Sequence, residues 1–139
     1  AIEQAAMMAG IGDRLVMPGF LDRPYMFMRH FDLLALSSRS EQFPIAVVEA
    51  MAAGLPVVAP PVGDVAAMVA AENRPYVTAH HGEVALREAM QALAADPGLR
   101  ARVGAANRLK AQAEYDEGVM IARYAALYGA VAGRPGALL

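Results

Sequence analysis

At 139 residues the chain has the length of one domain with a single buried core. Its 57% hydrophobic content against 19% charged residues excludes a disordered chain, and a net charge of −2 without a basic block excludes the usual means of gripping nucleic acid. With no cysteine there is no disulfide and no thiolate metal site, which fits a reducing compartment.

Short apolar runs alternate with helical stretches, the pattern of βαβ units around a parallel sheet. Residues 2–9 read as the end of a helix closed by Gly10 and Gly12. Arg14 to Met17 reads as a strand stopped by Pro18-Gly19, and Pro24 to Met28 as a short helix. Asp32 to Leu36 is a buried strand by composition. A helix from about Phe43 to Ala53 should end at Gly54, with Pro56 forbidding continuation. Val57 to Ala59 is the next strand, Asp64 is placed to cap a helix over Val65 to Ala71, and Tyr76 to Thr78 is a last short strand.

The final third reads as helix throughout. Leu86, Met90 and Leu93 recur at helical spacing, as do Leu99, Val103 and Ala106, then Met120, Tyr124, Leu127 and Val131. Asp96-Pro97 pairs a capping residue with a proline at the first helical position, so a new helix starts there. Methionines at helical spacing (Met26, Met28, Met90, Met120) read as core filler, and residues 132–139 as a frayed tail. The apolar region from Ile45 to Ala71 is cut by Gly54, Pro56, Pro60, Pro61, Gly63 and Asp64 into pieces too short for a bilayer. The first ten residues lack the basic start of a signal peptide. The expectation is a soluble, cytoplasmic protein.

Two carboxylates eight positions apart dominate the chemistry: Glu41 in a polar loop and Glu49 inside an apolar helix pattern. A charge among Ile45, Val47, Val48 and Met51 needs a polar partner, and either a ligand hydroxyl or a backbone amide would serve. If the helix starts at Gln42 or Phe43, Glu49 lies about 9–10 Å along its axis, roughly the span of a diphosphate joining a sugar to a ribose. The unpaired amides of Gln42, Phe43 and their neighbours would then offer phosphate the positive end of the helix. Ser37, Ser38 and Ser40 follow a predicted strand at its carboxyl end, where open α/β sheets bind ligands. Gly10 and Gly12 follow a helix and precede a strand, the reverse of a phosphate-loop order. His30, His80 and His81 give no metal case.

The words Ser37-Ser38-Arg39-Ser40-Glu41-Gln42-Phe43-Pro44 and Glu49-Ala50-Met51-Ala52-Ala53-Gly54-Leu55-Pro56-Val57-Val58 resemble the signature of retaining, nucleotide-sugar-dependent glycosyltransferases of the two-Rossmann-domain (GT-B) type. Glycogen synthases and sucrose-phosphate synthases belong to that group. The resemblance covers about residues 9 to 130. It implies that Glu41 contacts the donor sugar, that the amides around Gln42, Phe43, Pro44 and Ile45 serve sugar and phosphate, and that Glu49 holds the ribose hydroxyls. Ser38 takes the phosphate-side position, and Gly19-Phe20 the place where the family's chain passes the base. The segment Val62-Gly63-Asp64-Val65-Ala66-Ala67 departs from the family's usual Gly-Gly-x-Pro-Glu, removing a carboxylate near the donor end.

The fold implied is α/β, a truncated Rossmann-like parallel sheet with helices on both faces and an all-helical C-terminal segment. Residues 1–131 would be part of the C-terminal donor-binding domain. The acceptor, a sugar or a lipid-linked sugar, would come through a missing N-terminal domain, which could also carry any membrane-peripheral attachment. The family's basic residues that neutralise the diphosphate come from an opening strand, helix and strand not found here, so the strand at 14–17 must pair directly, swap, or leave an edge exposed. No cofactor and no metal are implied, the nucleotide sugar being the substrate. Two other readings share these residues: a nucleotide-sugar epimerase of the same architecture, and a catalytically silent nucleotide- or partner-binding module.

Overall fold

The computed structural model of the chain describes residues 1–133. Helix α1 (Ile2–Met8) is closed by Gly10 in the left-handed conformation (φ +70°), and a single 3-10 turn, Gly12–Arg14, follows. The expected strand over Arg14 to Met17 does not form. Val16 is 80% exposed, Leu15 alone is shown extended (ψ 120°), and no described strand pairs with residues 14–17. A strand is defined by its ladder, and apolar residues without a partner strand remain coil.

A 3-10 helix over Pro24–His30 leads to β1 (Leu34–Ala35), and α2 (Ile45–Ala53) and β2 (Val57–Val58) follow. The strands pair in parallel, Leu34 opposite Val57 and Ala35 opposite Val58. The Leu34 and Leu36 amides donate to the Pro56 and Val58 carbonyls at 3.0 and 2.8 Å. Asp32 to Leu36 is thus a shorter strand than its apolar run suggested. Its residues are half-buried or exposed because only one side of it is paired. Helix α2 begins two residues later than expected, at Ile45, because Pro44 holds an extended ψ of 111° and forms the boundary. Gly54 ends it at φ +82°, with Leu55 N donating to Ala50 O and Gly54 N to Met51 O, the paired closure that a left-handed residue permits.

Alternation along β2 assigns its two faces. Val57 joins the larger cluster with Met28, Val47, Met51, Leu55, Val65 and Met68, while Val58 joins Leu93 and Val103 on the other side. Helices therefore lie on both faces of the small sheet. Helix α3 is short (Val65–Met68), and the Asp64 side chain makes no capping bond, contrary to expectation. Val69 turns to an extended ψ of 157° and a 3-10 helix over Ala71–Tyr76 takes the remaining length. The last strand is reduced to one parallel bridge, Ala59 with Val77.

Two buried asparagines explain that reduction. Val57 turns its N–H and C=O away from β1, and the Asn73 carboxamide meets both: Val57 N donates to Oδ1 and Nδ2 donates to Val57 O, each at 2.7 Å. A carboxamide is a peptide group on a side chain, so it occupies the place of a neighbouring strand. Asn107 extends the network, donating to Asn73 Oδ1 (2.8 Å) and Leu55 O (2.9 Å) and accepting from Ala70 N at 3.0 Å. Both side chains are fully buried, and every polar atom of theirs is partnered.

Helices α4 (Glu83–Ala95), α5 (Pro97–Glu114) and α6 (Glu117–Val131) complete the described chain, as the periodic pattern predicts. Asp96 caps α5 through Leu99 N at 2.9 Å, with Pro97 at the first position. Helices α2 and α5 touch backbone to backbone: a Cβ on Gly104 would stand 2.8 Å from the Gly54 carbonyl carbon and nearer still to its oxygen. Of the methionines expected as core filler only Met28 is buried; Met26, Met90 and Met120 are exposed, and with Met120 so are Tyr124, Leu127 and Val131 of the α6 stripe. The tail expected over 132–139 lies outside the described residues from 134 onward. No described helix is long and apolar enough to cross a membrane.

Candidate donor-binding site

The loops that follow the two parallel strands leave the sheet at the same end and meet. After β1 the chain runs irregularly through Ser37 to Phe43; after β2 it turns at Pro60-Pro61 into Gly63-Asp64. Asp64 N donates to Gln42 O at 3.0 Å. Gly63, at φ +49°, lies so close that any Cβ would fall 2.6 Å from the Glu41 carbonyl oxygen and closer to that of Gln42. Only glycine supplies both the conformation and the clearance there. The carboxyl ends of parallel strands are where open α/β sheets hold ligands, and here two loops build one wall.

Helix α2 starts at that wall. The amides of Gln42, Phe43, Ile45 and Ala46 have no hydrogen-bond partner among the described residues, so four free donors stand at the start of a nine-residue helix, its positive end. Glu49 is four residues beyond Ile45, about 6 Å along the axis rather than the longer span the sequence suggested. Glu41 and Glu49 are both half-buried, and neither has an ion-pair or hydrogen-bond partner among the described residues. The expected burial of Glu49 is thus only partial, because α2 turns Val47, Ala50 and Met51 to the core and leaves position 49 at its margin. Ser38 is half-buried in the same loop, Pro44 is buried at the helix start, and Gln42, Phe43 and Ile45 are exposed. Phe20 is 94% exposed, and among the described residues no hydrogen bond or packed cluster joins Gly19 or Phe20 to Glu41 or Glu49.

Tyr115, which the sequence did not single out, closes the site from behind. Its ring meets Phe43 edge-on, centroids 5.8 Å apart at 73°, and its hydroxyl donates to Met68 O at 3.3 Å. Both line an apolar hollow of about 690 Å³ with Ile45, Val48, Met120, Tyr124 and Leu127, and with Arg123 and Glu114 as its charges. Burial raises the Tyr115 hydroxyl above the ordinary 10.0, and the Glu114 and Asp64 carboxylates push the same way. The folded chain thus favours the neutral phenol. Its contribution to stability is complete below the unfolded value and is lost as pH rises through the folded one. Urea midpoints measured between about pH 9 and 11 should fall more for the natural chain than for Tyr115→Phe. Parallel decline in the two would remove Tyr115 as the cause.

A family profile described as "Glycosyl transferases group 1" matches residues 2–110. The chain belongs to that family. It is 32% identical over 109 residues to a D-inositol 3-phosphate glycosyltransferase of Xylanimonas cellulosilytica, a match covering 77% of this chain and 26% of the relative. Its structure superposes on sucrose-phosphate synthase from Thermosynechococcus elongatus with a TM-score of 0.84 and 27% identity, over 95% of this chain and 34% of that one. The fold is accordingly of the GT-B type, and the group 1 chain spans about a quarter to a third of these two relatives.

The missed residues left faint traces. Asn107 is four positions after Val103 and four before Ala111, a polar residue in an apolar stripe, which calls for a buried hydrogen-bonding partner. Asn73 and Tyr115 carry no such periodic mark.

Proposed function

We propose that this group 1 chain supplies the donor-binding half of an enzyme that transfers a glycosyl group from a nucleotide sugar with retention. One observation carries the reading. The loops after both parallel strands meet at the start of α2, where four amides and the Glu41 and Glu49 carboxylates have no partner among the described residues. In this reading Glu41 takes hydroxyls of the sugar, Glu49 takes the ribose, and the amides of Gln42, Phe43 and Ile45 receive the diphosphate, with Pro44 fixing where the helix opens. Ser38 adds a donor on the phosphate side, and Gly19 and Phe20 take the side of the base. The helix terminus stabilises negative charge as the diphosphate leaves. The substrate is the nucleotide sugar, with no resident metal or cofactor. The acceptor, a sugar or lipid-linked sugar, arrives through an N-terminal domain, and residues 1–131 form part of the donor domain of a cytoplasmic enzyme.

In the full-length enzyme, Glu49→Gln should weaken nucleotide-sugar binding by roughly 1–3 kcal/mol, the scale of a lost charge-assisted hydrogen bond. Glu41→Gln should lower kcat more than it raises KM, as expected of a contact that strengthens while the bond breaks. Steady-state kinetics with purified variants decides the matter. Small and equal effects from both would make the pair ordinary surface carboxylates.

A further inference from the structure

Residues 37–44 belong to no regular element, yet Glu41 must be held still to act on a sugar. The contacts around it form a closed circuit. Gln42 O is bound by Asp64 N, and Gly63 is pressed against the Glu41 and Gln42 carbonyls, so the near end of α3 holds one side of the loop. The far end of α3 is Met68, whose carbonyl receives the Tyr115 hydroxyl. Tyr115 is anchored in turn by its own amide on Ala111 O at 2.9 Å and by packing against the larger core cluster. Its ring edge then meets Phe43, the residue after Gln42. The circuit runs from Gln42 through Asp64, α3, Met68 and Tyr115 to Phe43, and so back to Gln42.

We propose that Tyr115 is a positioning residue which sets the place of Glu41 through the Phe43 ring. The inference rests on the reading of Glu41 as a sugar ligand. Phe43 is exposed on its other side, and Gly63-Asp64 restrains only the carbonyl side of the loop. Without the aromatic edge, residues 41–43 can pivot about the Asp64–Gln42 hydrogen bond, because among the described residues no other hydrogen bond holds them. A phenylalanine at 115 keeps the ring contact and gives up only the hydroxyl link to Met68. A leucine gives up both.

Amide NMR spectra of the 139-residue chain test this, with Tyr115→Leu, Tyr115→Phe and Phe43→Leu compared. Tyr115→Leu should shift the Glu41 and Gln42 amides while Val57 and Ala70, held by the asparagine network, stay in place. Tyr115→Phe should restore Glu41 and Gln42 and move Val69, beside the lost Met68 acceptor. Phe43→Leu reports on the same contact from an exposed residue, so it decides the case if Tyr115→Leu does not fold. Titration with uridine, guanosine and adenosine diphosphates should show affinity falling about five-fold in both leucine variants for whichever nucleotide binds, the scale of one aromatic pair. Unmoved Glu41 and Gln42 amides in folded leucine variants would overturn the proposal. Failure of the natural chain to bind any of the three counts against the donor-binding reading, while the amide shifts still settle the role of Tyr115.

Discussion

Purified as 139 residues, the chain should transfer no sugar. Its matches cover 26% and 34% of two longer relatives, and in the proposed reading it contributes only the place for a donor, built from the loops after β1 and β2. Transfer needs an acceptor hydroxyl held against the reacting carbon. In the proposed enzyme that comes from a second domain across the cleft. Losing proximity and orientation alone is worth about 7–11 kcal/mol of barrier, which puts any residual rate far below that of an enzyme. Weak binding of a nucleoside diphosphate should survive, because the α2 terminus and both carboxylates are intact. The assay is radiolabelled nucleotide sugar with a panel of sugar and lipid-linked acceptors. Turnover at ordinary enzymatic rates would show that the described residues already hold a complete catalytic site.

The largest expected loss of stability comes from a residue with no part in the chemistry. Asn73→Leu should destabilise the chain by about 2–5 kcal/mol, enough to unfold much of a small domain at 25 °C. The leucine fills a similar volume, so the cost does not arise from a cavity. It arises because Val57 keeps a buried N–H and a buried C=O, and Asn107 loses an acceptor. Each stranded group costs on the order of 1–3 kcal/mol. Asn73→Asp is the informative companion, since it retains the acceptor for Val57 N and Asn107 Nδ2 but loses the donor to Val57 O while burying a charge. Urea unfolding followed by circular dichroism measures both. Unchanged midpoints would mean that water replaces the carboxamide without cost.

Much of this was legible in the sequence. Glu41, Gln42, Phe43 and Glu49 lie in words specific enough to name the family, and caps such as Asp96-Pro97 and Gly54 act through local backbone geometry that a short window contains. The strand over Arg14 to Met17 was misread because pairing depends on a neighbour distant in sequence, and apolar composition cannot show whether that neighbour exists. Tyr76 to Thr78 failed as a full strand for a related reason. Its place beside β2 is partly filled by the Asn73 side chain, and no strand propensity encodes that substitution. The α6 stripe has the period of a buried face and is exposed, since period marks which side is apolar and not whether anything covers it. Glu49 sits among apolar letters but at the margin of the α2 face formed by Val47, Ala50 and Met51, and its angular place on the helix decides its burial.

The sheet is finished on one side and open on the other. Beyond β2 the backbone groups are taken by Asn73 and by the bridge to Val77; beyond β1 no described strand follows. Bare sheet edges recruit one another, and the count of such edges governs how far association runs. A protein with two sticky edges can grow into a ribbon without limit, each added copy presenting a fresh edge. An edge whose backbone groups a carboxamide already holds offers no such template. The Asn73 carboxamide therefore acts as a strand cap, leaving the β1 side as the one side of the described sheet still free to take a further strand.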